Sequence, residues 1–191
     1  MLPPLVLASA SPRRAELLRA AGIPFEVVPA DVDERQQAGE DAGTYVQRLA
    51  TAKAAHVAQT HPGRAVLGAD TTVVVDGEVL GKPLDAREAV AMLGRLSGRS
   101  HRVLTGVCLI GADGRAETSV ASTTVEFRAI TASEIERYVA SGEPMDKAGA
   151  YAIQGGAGDF VTRIDGDYDN VVGLPVPLIQ AMCLRLGIQV S

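Results

Sequence analysis

Two periodicities alternate along this chain, and their order predicts its elements. Leu5-Val6-Leu7-Ala8 is a short unbroken apolar run, the mark of a buried strand, and residues 25–28 read as a second strand. Between them Ser11 as N-cap, Pro12 at the first helical position and Gly22 just past the end punctuate a helix, with Leu17, Leu18 and Ala21 on its buried face. Residues 41–61 read as a longer helix capped by Asp41 or Thr44, in which Val46, Leu49, Ala50 and Val57 recur at helical spacing. Lys53 falls on that same apolar stripe; it either snorkels from the edge or sends its ammonium into a cleft.

The next stretch, residues 66–83, is the centre of the pattern. An apolar strand at 65–67 and another at 72–75 are separated by Gly68-Ala69-Asp70-Thr71, which places Asp70 just after the first of them. Asp76-Gly77 is a strong hairpin signal, because both residues tolerate positive φ, and 78–80 form the return strand before Gly81-Lys82-Pro83. An acid among β-branched and small residues faces a desolvation cost unless a cation or hydrogen bonds meet it, and Lys82 is the cation this stretch offers. A turn-capping aspartate and a solvated lysine are the plainer alternative.

Further on, Asp85-Ala86-Arg87-Glu88 resembles a capping box and opens a helix buried through Ala89, Met92, Leu93 and Leu96. Strands follow at 101–110 and 117–130 with an Asp113-Gly114 turn between them, and Thr131 with Glu134 makes a second capping box for a helix ending near Gly142. Residues 147–158 are glycine-rich, 160–164 form a strand, 168–174 an apolar segment and 175–186 the closing helix. The alternation of strands and helices is that of an α/β protein.

Composition narrows the function classes. At 191 residues the chain suits one domain, 1–191, with 47% hydrophobic and 21% charged residues. A net charge of −5 argues against a non-specific duplex binder, and the absence of Trp with few other aromatics argues against stacking platforms for single strands. No nucleic acid polymer is therefore expected as partner. No apolar run approaches membrane-spanning length, the N-terminus lacks a signal-peptide pattern, and Cys108 and Cys183 stand apart in apolar contexts as free thiols do. A cytoplasmic protein without membrane contact is the expectation. His56 and His61 lack partners at ligand spacing and read as surface residues.

The charged residues that stand out are cations and carboxylates separated by structured elements. Arg13 and Arg14 lie in a first helical turn, where the helix dipole is already positive, so an anion site is indicated there, with Ser9 and Ser11 adding hydroxyl donors. Asp31, Asp33 and Glu34 form either a solvated turn or oxygen ligands for a hard divalent cation. No Ser-His-Asp set, no zinc spacing and no G-x-x-x-x-G-K-[ST] loop is present. Arg13, Arg14, Lys53 and Lys82 with Asp33, Glu34 and Asp70 are what phosphoanhydride hydrolysis needs: cations for the polyphosphate, oxygens for a metal, and a carboxylate for the attacking water.

Leu7-Ala8-Ser9-Ala10-Ser11-Pro12-Arg13-Arg14, Leu67-Gly68-Ala69-Asp70-Thr71, Gly81-Lys82-Pro83, Ser97-Gly98, Lys147-Ala148-Gly149-Ala150-Tyr151 and Gly173-Leu174-Pro175 resemble, in order and nearly end to end, the signature blocks of the Maf family. The resemblance implies a mixed twisted β-sheet flanked by helices, in two lobes around a central cleft, related to inosine triphosphate pyrophosphatases. It implies cleavage of a nucleoside triphosphate between the α and β phosphates, a divalent metal (Mg or Mn) and a homodimer. Asp70 matches the family's proton acceptor; Arg13, Thr71 and Gln154 match its specificity positions. Ser9, Arg14, Lys53 and Lys82 match residues lining the phosphate site, with Lys53 and Lys82 set beside Asp70 as catalytic, and Glu34 matches an acidic position that partners the metal with Asp70. The Gly68–Thr71 block with Ala152-Ile153-Gln154-Gly155 is similar to the branch acting on dTTP and UTP, whose O4/N3 edge suits a Gln amide. A 7-methyl-GTP-type pyrophosphatase and a non-catalytic nucleotide-binding regulator of septum formation remain as alternatives.

Overall fold

The computed structural model describes residues 4–190. In chain order it contains β1 (Leu5–Leu7), α1 (Pro12–Ala20), β2 (Phe25–Val27), α2 (Ala42–Ala58), β3 (Val66–Val75), β4 (Glu78–Leu80), α3 (Ala86–Leu96), β5 (Ser100–Ile110), β6 (Ala116–Phe127), α4 (Ala132–Ala140), β7 (Val161–Asp165), α5 (Tyr168–Val172) and α6 (Val176–Leu186). Three short 3-10 turns, Glu143–Asp146, Ala148–Ala150 and Gly156–Phe160, take up much of the glycine-rich segment. The strands form one mixed seven-stranded sheet in the order β2-β1-β3-β5-β6-β7, with β4 paired to β3. β1 runs parallel to both β2 and β3, whereas β4 and β7 pair antiparallel with β3 and β6. Flanked by helices, this is the expected fold class.

The residues divide into two compact units. The first comprises the chain up to Asp70, Thr105–Ala121 and the part from Gly173 onward; the second comprises Thr71–Leu104 and Ser122–Val172. In the first unit the period-two alternation of the strands sends side chains to opposite faces. Leu5, Leu7, Leu67, Ala69, Val107 and Leu109 pack with Leu18 of α1 and with Ile179 and Met182 of α6. Val6, Val66 and Cys108 pack instead with Ala50, Ala54 and Val57 of α2. Each such leucine or valine, fully buried, contributes about 2 kcal/mol of apolar transfer free energy.

α2 lies unusually close to the sheet. A β-carbon on Gly68 would fall 2.2 Å from the Ala50 carbonyl oxygen, and one on Gly106 would fall 2.3 Å from that of Val46. Both glycines are there because helix backbone occupies the space a side chain would need.

In the second unit α3 packs on α4, and an aromatic cluster fills the interior. Phe127 meets His101, Tyr151 and Phe160 edge-on, with centroids 4.8, 4.9 and 6.0 Å away. The His101 Nε2 is 2.7 Å from the Tyr151 hydroxyl, and its Nδ1 is buried without a hydrogen-bond partner among the described residues. Burial pushes the His101 imidazole down to about 4. Because the unfolded chain takes up this proton near pH 6.5, the stability tied to a neutral His101 is complete above that pH and drains away as pH falls toward 4. Urea unfolding at pH 7.5 and 4.5 should therefore show a drop larger by about 2 to 3 kcal/mol in the parent protein than in His101→Asn. Equal drops would mean that His101 is not buried as an uncharged ring.

Local signals were met with informative departures. Asp41, not Thr44, caps α2, accepting from the amides of Gly43 and Thr44. Asp76 (φ 53°) and Gly77 (φ 78°) make the hairpin with positive φ as expected. The Thr131–Glu134 capping box is complete. At α3 the box is split: Asp85 accepts from the Glu88 amide, but the Glu88 carboxylate takes the Leu84 amide. The two apolar runs around Gly68–Thr71 are one strand, β3, so Asp70 sits within a strand rather than after it. Gly68 is small enough for α2 to lie over it, and the strand runs on through the acid to Val75.

Candidate active site

The sheet order makes β1 a switch point. From β1 the chain goes by α1 to β2 on one side, and then by α2 to β3 on the other. In parallel sheets the crevice beyond the carboxyl ends at such a point is where ligands bind. Leu7 stands opposite Leu67, so the Ser9–Arg14 turn leaves β1 while β3 continues for three more residues to Asp70.

Arg14 is buried and its guanidinium is spent on the protein. Its Nε donates to the Gly173 carbonyl at 2.8 Å, and its Nη1 donates to Ser9 Oγ at 3.0 Å and the Ala69 carbonyl at 2.9 Å. Burial pushes its pKa below the usual arginine value; the charge of Asp70 opposes this, Arg13 adds to it and Glu34 opposes it. Arg14 thus ties the serine turn to the residue preceding Asp70. Ser9 is buried and also accepts from the Ser11 amide at 3.2 Å. Ser11 occupies the N-cap position without a side-chain cap bond, and Arg13, two residues on, is only partly buried.

Asp70 is 8% exposed and Lys53 7%. The Lys53 ammonium donates to Asp70 Oδ1 at 2.8 Å and lies 2.8 Å from Glu34 Oε1. The lysine on the apolar stripe therefore reaches inward to two carboxylates, and the cation that meets Asp70 is Lys53 rather than Lys82. Asp70 Oδ2 makes no hydrogen bond among the described residues. Asp33 pairs instead with Arg35, whose guanidinium holds its carboxyl down to about 2 at the surface.

Thr71, Lys82 and Gln154 belong to the second unit. Thr71 is partly buried, while Lys82 and Gln154 are exposed. The Gly149 amide donates to the Gly81 carbonyl at 3.0 Å, which sets the Lys82 segment beside the turn leading to Gln154. Lys147 of that turn is committed to Asp146 and to the Glu143 carbonyl. Within the first unit hydrogen bonds thus join Arg14 to Ser9, and Lys53 joins Glu34 to Asp70; the two sets meet through the main chain, since Arg14 donates to the Ala69 carbonyl next to Asp70.

A family profile described as Maf-like protein matches residues 4–186. The chain belongs to the Maf family. The dTTP/UTP pyrophosphatase of Symbiobacterium thermophilum is 55% identical over 185 residues, covering 96% of this chain and 94% of that one. The protein of the same name from Myxococcus xanthus is 56% identical over 184 residues, covering 96% and 93%. That of Hahella chejuensis is 49% identical over 189 residues, covering 97% and 94%. Among solved structures, a HAM1 protein from Coxiella burnetii superposes with a TM-score of 0.46 at 17% identity, covering 66% of this chain and 73% of that one.

The Maf resemblance implies a divalent cation. No group of three or more His, Cys, Asp or Glu is gathered to hold one among the described residues. Two carboxylates are nevertheless brought to a single ammonium nitrogen, Asp70 and Glu34 each at 2.8 Å. Two hard oxygen donors suit Mg or Mn, which complete their coordination with water and phosphate oxygens rather than with a protein cage. Glu34 and Asp70 are therefore the residues whose oxygens would suit such an ion.

Proposed function

We propose that this Maf protein hydrolyses nucleoside triphosphates, dTTP and UTP before others, to the monophosphate and pyrophosphate, and so clears the nucleotide pool. The observation that carries the reading is the buried Asp70 carboxylate with one oxygen held by Lys53 and the other open, beside the switch point among the parallel strands β2, β1 and β3 of the mixed sheet. Relatives of nearly the same length, named dTTP/UTP pyrophosphatases, supply the substrate class.

In this reading the triphosphate lies across the Ser9–Arg14 turn. Arg13 and Lys82 neutralise its oxygens, and Ser9 adds a hydroxyl donor. Arg14, whose donors serve Ser9, Ala69 and Gly173, keeps that turn in place beneath the phosphates. Lys53 fixes the Asp70 carboxylate through Oδ1, so that Oδ2 takes the proton of the water attacking the α phosphorus. The bond from that phosphorus to the bridging oxygen breaks, and pyrophosphate leaves with the electron pair. A Mg or Mn ion, held by Glu34 and Asp70, would neutralise phosphate charge and acidify the water. Thr71 and Gln154 serve the base, the Gln amide offering a donor and an acceptor to the O4/N3 edge.

The same reading takes residues 1–191 as one working domain, in a cytoplasmic homodimer with no nucleic acid polymer or membrane as partner. No helix among the described residues is long and apolar enough to cross a membrane. The test is turnover of a panel of dTTP, UTP, CTP and 7-methyl-GTP with Mg²⁺ or Mn²⁺, read as pyrophosphate per mole of protein. Catalytic release from dTTP and UTP, at least tenfold faster than from the others, is expected. Preference for 7-methyl-GTP would reassign the base site, and at most one equivalent from any nucleotide would leave a nucleotide-binding regulator.

A further inference from the structure

The segment between β2 and α2 has no regular structure, yet it delivers Glu34 to Lys53. Ordering so long a connection costs conformational entropy, and the Glu34 side chain is itself 51% exposed, so its own burial does not hold it. We infer that Tyr45 and Arg48 are positioning residues for Glu34, strapping its loop onto α2 so that the carboxylate reaches the ammonium of Lys53. The inference rests on the role proposed above for Glu34.

The Tyr45 hydroxyl donates to the main-chain carbonyl of Glu34 itself at 2.8 Å. Tyr45, Leu49 and Lys53 stand four apart, on one face of α2, so this residue is gripped at its backbone by Tyr45 and at its carboxylate by Lys53. Arg48 takes the next part of the loop. Its Nη2 donates to the Arg35 carbonyl at 3.0 Å, and its Nε and Nη2 fork onto Glu40 at 2.6 and 2.8 Å. Glu40 is made into an anchor in turn: its carboxylate accepts from the Gln37 amide and its carbonyl from the Gln36 side chain. The Arg48 guanidinium lies 5.7 Å from the centre of the Tyr45 ring, so the two side chains brace each other. The Asp33–Arg35 pair, exposed on both sides, adds little to this hold.

The experiment compares Tyr45→Phe, Arg48→Lys, Glu34→Gln and the Tyr45→Phe/Glu34→Gln double variant. Three quantities are read: Mg²⁺ dependence of pyrophosphate release from dTTP, melting temperature, and deuterium uptake of the peptide spanning residues 33–41 without nucleotide or metal. Losing one hydrogen bond should raise the Mg²⁺ concentration for half-maximal rate roughly three- to tenfold with kcat changed less than twofold. Uptake in residues 33–41 should quicken while the melting temperature stays within about 2 °C, within which a surface hydroxyl is expected to act. Arg48→Lys, which keeps the charge but not the fork, should show the same pattern. The double variant should be no worse than Glu34→Gln alone, because Tyr45 acts through Glu34. Unchanged Mg²⁺ dependence in Tyr45→Phe, or additive losses in the double variant, overturns the inference. If Glu34→Gln is itself indistinguishable from the parent, the proposed role of Glu34 falls first and the inference falls with it.

Discussion

Asp70→Asn is expected to stop pyrophosphate release while a triphosphate still binds. The substitution keeps the shape and leaves the side-chain oxygen for Lys53, which now donates to Asp70 Oδ1 at 2.8 Å. What it removes is the negative charge and the basic Oδ2, the one atom of the group with no protein partner among the described residues. General-base catalysis is worth about 10² to 10⁴ in rate, so turnover should fall by at least a hundredfold. Arg13, Ser9 and Lys82 are untouched, and equilibrium dialysis with labelled dTTP should show an affinity within about tenfold of the parent. A variant with near-normal kcat removes Asp70 from the chemistry, and one that neither turns over nor binds makes it a structural support of the pocket.

The second large effect is on stability and comes from a position with no chemistry. Gly68→Ala would place a methyl 2.2 Å from the Ala50 carbonyl oxygen, 2.7 Å from the Ala54 nitrogen and 2.9 Å from its β-carbon. These are backbone or near-backbone atoms of α2, which cannot rotate away, so the helix must lift off β3. Overpacking of this kind costs about 2 to 4 kcal/mol, a fall of roughly 5 to 12 °C in melting temperature for a chain of this size. Lys53 rides on α2, so activity should fall well beyond what the lost stability alone explains. Gly94→Ala is the control: it lies inside α3 with nothing within 4 Å of the added carbon, and should stabilise by about 0.5 to 1 kcal/mol. If both variants melt with the parent, α2 does not seat on β3 as described.

Much of this was legible in the chain because it depends on local rules. The Thr131–Glu134 box and the Asp76-Gly77 hairpin are written in neighbouring residues, which also narrow the α2 cap to Asp41 or Thr44. The lysine on the α2 stripe stands out in the same way, while leaving open whether it snorkels or reaches inward. The choice of cation for Asp70 was not local. Lys82 is nearer in sequence, but Lys53 is brought in by a helix whose approach is set by Gly68 and Gly106, and spacing within one stretch cannot report that. Arg13 and Arg14 look equivalent on paper; a turn of about 100° per residue points Arg14 into the interior, where three protein oxygens await it. Tyr45 and Arg48 escaped notice for a different reason. Each holds a main-chain carbonyl of an irregular loop, which leaves no pattern in side-chain identity, and the Glu40 carboxylate that Arg48 also takes lies outside the helix.

The bond from Arg14 to the Gly173 carbonyl spans 159 positions. During translation the Ser9–Arg14 turn therefore emerges long before one of its acceptors exists: Nη1 can meet Ser9 and Ala69 early, but the Gly173 carbonyl that accepts from Nε comes last. The backbone also passes between the two units after Asp70, Leu104, Ala121 and Val172, so neither unit can be made as one continuous fragment. A nascent chain stalled before Gly173 would carry Arg14, Ser9 and Ala69 and still lack the carbonyl that holds the Arg14 Nε.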